Sequence, residues 1–169
     1  AATLPAEVLS EPAFALSGSF GASASYLSQK ITQDPVFPVD GWVSSSYGSR
    51  VSPIDFYNEE HKGVDIAAKE GTVIRAVMDG IVSLVDETPG RGKFLMLDHV
   101  NTPTKKIQTL YQHCSKILVE EGTVIRAGEA IALVGSTGDS TGPHLHLEYR
   151  VNGECQDPIK ALFSDLYAV

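Results

Sequence analysis

The chain has 169 residues, of which 43% are apolar and 20% are charged, an ordinary composition for one folded domain. Its 13 basic and 21 acidic side chains give a net charge of −8, which opposes general binding to nucleic acid and docking on anionic lipid through charge. It contains no apolar run of about 18 residues and no signal-peptide pattern, so we expect neither a membrane span nor a nucleic-acid partner.

The first 35 residues differ in composition from the rest of the chain. Residues 1–35 are rich in Ala and Ser, and three prolines interrupt them: Pro5, Pro12 and Pro35. Their periodicity is weak and allows at most a short helix near residues 22–32. We therefore predict an N-terminal arm or linker at 1–35, followed by one domain at 36–169.

From Val36 onward, short apolar runs alternate with Gly, Pro, Asp and Asn. β-branched and aromatic residues are frequent in these runs, which indicates strands. The pair Asn152-Gly153 is typical of a β-hairpin turn, and residues 157–169 leave room for one or two helical turns. The pattern predicts an all-β, mainly antiparallel domain with few short helices. The predicted strands are 72–77, 80–85, 93–99, 107–113, 129–135 and 144–151.

The heptapeptide EGTVIRA occurs at residues 70–76 and again at 121–127. It offers no metal ligand set and no nucleophile, so a repeated binding loop is the weaker interpretation. We predict a turn at Glu-Gly that leads into a strand, used twice in a duplicated sheet.

Cys114 and Cys155 are the two cysteines, and neither belongs to a CxxC pair. A thiolate zinc knuckle and a CxxC redox motif are therefore not expected. One disulfide and two inert thiols both fit the sequence, because spacing does not give the distance between their Cα atoms.

Four of the five histidines lie in short patterned segments. In HKGVD (61–65), His61 and Asp65 can converge on a metal, although the motif alone is more typical of a surface His beside a solvated Asp. Gly63 favours a loop that runs into a strand. In HLHLE (144–148), alternation places His144 and His146 on one strand face and the leucines on the other.

The third segment is YQH (111–113), where the same alternation predicts that Tyr111 and His113 share a strand face. Catalytic zinc usually takes three His or carboxylate ligands and one water. HKGVD supplies two of them and the 144/146 pair supplies the third, with the choice between its members open. Two histidines then remain for proton transfer or transition-state stabilisation.

HKGVD, YQH and GSTGDSTGPHLHLEYRVNG resemble the three signature segments of the M23 peptidases, the lysostaphin/LytM-like family. The likeness covers about residues 41–162 and begins with GWVSSSYGSR, which is similar to the opening segment of that family. It implies a two-sheet, mainly antiparallel fold of the duplicated hybrid-motif type, with a narrow groove lined by loops.

Residue by residue, the resemblance implies that His61, Asp65 and His146 hold one Zn²⁺ per chain. It also implies that His113 and His144 occupy the catalytic positions that do not bind metal.

Three other segments have smaller expected roles. Tyr57, four residues before His61, is a candidate for stabilising the oxyanion, although its loop does not align cleanly with the family. We expect His99 to be structural, because the ligand set is complete without it. Residues 136–142 are expected to form one wall of the groove, since no Gly-Lys-Ser/Thr follows to make a phosphate loop.

The implied function is a zinc metallo-endopeptidase that hydrolyses peptide bonds of bacterial peptidoglycan, in a cross-bridge or a stem peptide. We expect a monomer outside the cytoplasm, in the cell envelope, the periplasm or the medium. The alternative is a non-catalytic LytM-like domain that activates other wall hydrolases. A lipoyl-type carrier domain is a third possibility, but it would leave the histidines unexplained.

Overall fold

The computed structural model describes residues 34–51, Ile54 and residues 58–167. The predicted arm, apart from its last two residues, the predicted helix near 22–32, and Tyr57 lie outside the described residues. None of the described helices is long and apolar enough to cross a membrane.

The described part of the chain is built from short and medium strands, followed by two short helices. The strands are β1 (Trp42–Ser45), β2 (Gly48–Val51), β3 (Asn58–His61), β4 (Val64–Ala67), β5 (Val73–Arg75), β6 (Gly80–Thr88), β7 (Gly92–Asn101), β8 (Lys106–Ile117), β9 (Val124–Ile125), β10 (Ala130–Val134), β11 (His144–Val151) and β12 (Glu154–Gln156). The helices are α1 (Pro158–Leu162) and α2 (Ser164–Tyr167).

All pairings between these strands are antiparallel. Ten strands form one sheet with the main order β1-β4-β11-β8-β7-β6-β9. In that sheet β10 joins β5 to β8, and β12 extends β11, while β2 and β3 form a second, two-stranded sheet. The predicted two-sheet, mainly antiparallel fold is therefore confirmed, and each of the six predicted strands is present.

Alternation along the long strands sets the core. Leu145 and Leu147 of β11 are fully buried, and Tyr111 of β8 lies opposite Leu147. These residues belong to one apolar cluster with Val64 and Ile66 of β4. The opposite face of the same strands is consequently available for polar side chains, and it carries the histidines.

The two EGTVIRA copies form the same local structure. Gly71 and Gly122 both have positive φ, and in each copy the following threonine donates its N–H to the carbonyl three residues earlier. Ile74 and Ile125 are both fully buried. The predicted turn-strand unit is confirmed, but the partners cross over: β5 pairs with β10, whereas β9 pairs with β6.

The C-terminal segment closes on the core. Asn152 and Gly153, both at positive φ, form the predicted turn between β11 and β12. The side chain of Asp157 caps α1, and Phe163 packs edge-on against Phe37 with ring centroids 5.1 Å apart. The chain just after residue 35 thus contacts the C-terminal segment at the residue between the two helices.

Both cysteines are free thiols. Cys114 is buried, and Cys155 is partly exposed on β12. The structure therefore supports the two-thiol interpretation of the sequence.

A buried polar chain lies in the core near β7. Nδ1 of His99 donates to the carbonyl of Asp79 at 2.8 Å, and its Nε2 lies 2.7 Å from the hydroxyl of Thr109. The Thr109 hydroxyl in turn lies 2.8 Å from that of Tyr111. His99 is satisfied within the core, as expected for a structural residue.

Candidate metal centre

The register between β11 and β4 brings two motifs together. His146 lies opposite Asp65, and His144 lies opposite Ala67. Directly opposed residues in an antiparallel pair share a face, so both imidazoles lie on the polar face of the sheet. This agrees with the alternation predicted for the segment.

HKGVD bridges the two sheets. His61 ends β3 of the small sheet, and Asp65 lies in β4 of the large one. A side chain at Gly63 would place its Cβ 2.3 Å from the carbonyl oxygen of Leu147. Glycine is required here because the turn lies against the backbone of β11, and this close approach brings His61 to His146.

Three donor atoms form a compact triangle. Nε2 of His61 lies 3.2 Å from both Oδ1 of Asp65 and Nδ1 of His146, and the last two atoms are 2.9 Å apart. These are the residues that could hold a metal ion in the described part of the chain. Zn²⁺ bound tetrahedrally at about 2.0–2.1 Å keeps its ligand atoms about 3.3–3.4 Å apart. Donor types and spacing both fit zinc.

Each histidine of the triangle turns a defined nitrogen toward it. Nδ1 of His61 donates to the carbonyl of Ser46 at 2.8 Å, which leaves Nε2 for the centre. Nε2 of His146 lies 2.9 Å from Oε2 of Glu148, which leaves Nδ1. Hydrogen bonds from the second ring nitrogen are the usual way in which metal-binding histidines are oriented.

The charges around His146 favour a cation. Burial alone would lower the pKa of His146, but hydrogen bonds to Asp65 and Glu148 outweigh it and raise this pKa. Burial likewise works against ionisation of both carboxyls, yet their hydrogen bonds with histidine lower the pKa of Asp65 and bring that of Glu148 to about 2. The site therefore presents two ionised, buried carboxylates to positive charge.

His113 reaches this face through a break in its strand. Gln112 of β8 lies opposite His146, and Tyr111 lies opposite Leu147 on the core face. The pairing of β8 with β7 shifts beside Tyr111, and His113 has φ of 66°. The prediction that Tyr111 and His113 share a face is therefore wrong, because an extra residue in the strand reverses the alternation.

His113 and His144 lie side by side next to the triangle. Their ring centroids are 4.9 Å apart, and that of His113 is 6.0 Å from that of His146. Nδ1 of His113 lies 2.7 Å from the carbonyl oxygen of Thr137, and Nδ1 of His144 lies 2.8 Å from that of Gly142. Each ring thus donates from Nδ1, so in the neutral ring Nε2 has a lone pair that can accept a proton.

Burial lowers the pKa of His113 to about 4, although the Thr137 carbonyl acts in the opposite direction. His113 is therefore neutral near pH 7, as a proton acceptor must be. Nε2 of His144 lies 3.6 Å from Oδ1 of Asp65, beyond direct hydrogen bonding. The geometry thus places His146, and not His144, in the triangle.

A groove of about 850 Å³ contains the triangle and the two further histidines. The predicted wall is present: Asp139, Ser140 and Gly142 line one side. The other lining residues come from β1, β3, β4, β8 and β11 and from the loops beside them: Ser44, Ser45, Ile54, Glu60, His61, Lys62, Asp65, Ala67, Gly90, Gln112, His113, Thr141, Pro143, His144, His146 and Glu148.

The structure brings all five predicted site residues into this groove. It adds Glu148, Gln112 and the Ser46 carbonyl, which the sequence reasoning had not singled out. Glu148 could have been found, because it follows His144 and His146 at the same two-residue spacing. The contributions of Gln112 and Ser46 depend on long-range pairing and have no local signal.

The chain is similar to a known family and to several of its members. The family model "Peptidase family M23" matches residues 59–158. The DD-carboxypeptidase/endopeptidase Mpg of Neisseria meningitidis serogroup B is 44% identical over 117 residues, which are 69% of this chain and 26% of that protein. The peptidoglycan DD-endopeptidase ShyA of Vibrio cholerae is 38% identical over 128 residues, 74% of this chain and 29% of that protein.

A solved structure of a zinc-containing peptidase from Vibrio cholerae is also similar, with a TM-score of 0.65 and 34% identity. The match covers 72% of this chain and 37% of that one. The chain therefore spans between a quarter and a third of the length of the curated relatives named above.

Proposed function

Because this chain belongs to peptidase family M23, we propose that it is a zinc-dependent endopeptidase domain that hydrolyses peptide bonds of bacterial peptidoglycan. The observation that carries the proposal is the triangle of donor atoms from His61, Asp65 and His146, with His113 and His144 beside it in one groove. The predicted domain at 36–169 would contain the whole site.

His61, Asp65 and His146 are proposed to hold the ion through Nε2, Oδ1 and Nδ1. A zinc ion bound there would supply Lewis acidity, polarising the scissile carbonyl and lowering the pKa of a water to about 7. The residues themselves contribute fixed orientation, because both imidazoles are anchored by their second nitrogen.

His113 and His144 are proposed to handle protons. A neutral imidazole with its proton on Nδ1 can accept the proton of the attacking water at Nε2 and later donate it to the leaving amine. Since the two rings are 4.9 Å apart, a charge on one disfavours a charge on the other. The pair would therefore carry one additional proton at a time, and the ring that holds it can also stabilise the developing oxyanion.

The substrate is inferred from the relatives. ShyA is named a peptidoglycan DD-endopeptidase, and Mpg a DD-carboxypeptidase/endopeptidase. By analogy we propose peptidoglycan peptide as the partner and a site of action outside the cytoplasm. Whether the bond lies in a cross-bridge or in a stem peptide is decided by the fragments released. We expect the domain to act as a monomer.

A non-catalytic activator is the competing function. Such a domain would have no need to retain two anchored histidines, a buried carboxylate and two further imidazoles in one groove. No described residue specifically favours that alternative.

The test is digestion of purified peptidoglycan by the zinc-loaded chain, with mass analysis of the released fragments. We expect new amino and carboxyl termini at one type of peptide bond, and none with His146→Ala. A zinc-loaded, folded chain that releases no fragment from peptidoglycan and cuts no Gly-rich peptide would favour the activator.

A further inference from the structure

Glu148 stands directly behind one proposed metal ligand. It follows His146 by two residues on β11 and is only 4% exposed. Its Oε2 lies 2.9 Å from Nε2 of His146, the ring nitrogen that faces away from the triangle. A buried carboxylate in this place can accept a hydrogen bond from that nitrogen and from no other atom of the ring.

The carboxylate is itself held at both oxygens. Arg150 donates from Nε and from its terminal nitrogen to Oε1, at 3.0 and 2.7 Å. The side-chain amide of Gln112 donates to Oε2 at 3.3 Å. Both charge-assisted bonds from the guanidinium go to Oε1, whereas Gln112 and His146 contact Oε2, so contacts at the two oxygens together fix the orientation of the carboxylate.

The two histidines of the triangle differ in the group that contacts their outer nitrogen, which is the ring nitrogen that faces away from the triangle. The outer nitrogen of His61 contacts a backbone carbonyl, that of Ser46, which no side-chain substitution removes. The outer nitrogen of His146 contacts a side chain. The orientation of His146 can therefore be altered without touching the triangle.

We propose that Glu148, held by Arg150 and Gln112, is the positioning residue that keeps the proton of His146 on Nε2 and turns the Nδ1 lone pair toward His61 and Asp65. The inference rests on the proposed metal site and deepens it. Glu148 touches neither substrate nor metal in this role. It acts by selecting one of the two neutral tautomers, and the other tautomer would point an N–H at the ion.

Glu148→Ala and Glu148→Gln test the proposal, with Glu154→Gln on β12 as the control. Glu154 is an exposed acidic residue near the same hairpin and lies outside the groove. Zinc affinity, measured by competition with a chelator, should fall about 10- to 100-fold in Glu148→Ala. Glu148→Gln keeps the shape and an acceptor oxygen but loses the charge, so a smaller loss is expected. Glu154→Gln should match the parent chain.

Nitrogen-15 NMR of the histidine rings gives a readout that a purely structural role would not change. Asp65 also lies 2.9 Å from Nδ1 of His146, so the measurement uses the metal-free Asp65→Ala chain, in which Glu148 is the carboxylate that still contacts this ring. At a pH where His146 is neutral, this chain should show the proton on Nε2, and adding Glu148→Ala should give a mixture of tautomers. If Glu148→Ala does not fold, Glu148→Gln carries both measurements.

The proposal is overturned if both Glu148 variants bind zinc as tightly as the parent and keep the Nε2 tautomer. Failure of the proposed function gives a different pattern. A parent chain that binds no zinc, or binds it and cuts nothing, would contradict that function, while the tautomer measurement still decides the role of Glu148.

Discussion

Asp65 and His146 face each other across two antiparallel strands, with Oδ1 of one 2.9 Å from Nδ1 of the other. They are 81 residues apart in the chain, so their contact exists only when β4 and β11 are paired in register. The proposed metal site therefore exists only in the folded chain.

Zinc should therefore stabilise the folded chain. A ligand that binds only the folded state adds about 4 kcal/mol to the free energy of unfolding at 1,000 times its dissociation constant. We expect an increase in Tm with added zinc and its reversal by a chelator. His146→Ala should remove the increase, and a variant that keeps it in full would contradict the ligand assignment.

His113→Ala should separate catalysis from metal binding. The ring of His113 lies beside the triangle but contributes no atom to it, so one zinc per chain should remain bound. Loss of a proton-transfer group should lower kcat about 100- to 10,000-fold. Zinc content by mass spectrometry and rates on a peptide substrate measure the two effects. Loss of zinc from this variant would make His113 a ligand instead.

Gly138→Ala should disturb the loop that anchors His113. An added Cβ would lie 2.3 Å from the backbone nitrogen of Gly92, at a position where φ is 77°. Overpacking of this kind costs about 1–3 kcal/mol, and it would shift the adjacent Thr137 carbonyl. We expect a lower Tm and a lower kcat. Gly153→Ala is the matched control, since its φ is also positive but its Cβ would meet open space.

His99 should make the fold sensitive to acid. Burial lowers its pKa from 6.5 to about 4, against smaller opposing effects of Asp79 and Asp98. Below pH 6.5 the unfolded chain takes up a proton at His99 and the folded chain does not. The contribution of His99 to the free energy of unfolding is therefore complete above pH 6.5 and is lost as the pH falls toward 4. This contribution is about 3 kcal/mol.

Urea unfolding of the metal-free chain across this pH range measures the effect. The difference between the parent and His99→Gln isolates it from the histidines of the groove. If the free energies of unfolding of the parent and of His99→Gln change with pH in parallel, His99 does not titrate in this way.

Trp42 should report on occupation of the groove. It is the single tryptophan of the chain and is 67% exposed. It lies opposite Ala67, which in turn lies opposite His144, so the indole is on the site face of the sheet. Peptidoglycan peptide bound to a catalytically inactive His113→Ala chain should shift its emission. Saturable binding detected by calorimetry without any change in emission would contradict this.

The sequence predicted those parts of the site that depend on local periodicity. The alternation of β11 placed His144 and His146 on one face, and Leu145 and Leu147 in the core. It did not distinguish between the two histidines, because both side chains project in the same direction from the strand. The register with β4 separates them, since Asp65 lies opposite His146, and register over 81 residues has no local signal.

His113 is a residue whose position in the site could not be predicted from strand alternation. The two-residue period predicts a shared face for Tyr111 and His113, but a bulge interrupts the strand there. The sequence gives no sign of this bulge, because the residue with positive φ is His113 and not a glycine. Such a conformation in a non-glycine residue is costly and is often found at functional sites. The exception to the strand pattern thus coincides with a proposed catalytic residue.

The exchanged pairing of the two EGTVIRA copies ties the chain into interlocked halves. β5 precedes β6 but pairs with β10, and β9 precedes β10 but pairs with β6. A fragment ending before Lys106 would hold β5 without β10 and β6 without β9, and the remaining fragment would have the complementary deficit. Each fragment thus lacks the strands with which its own strands pair. We therefore expect the whole domain to fold as one cooperative unit.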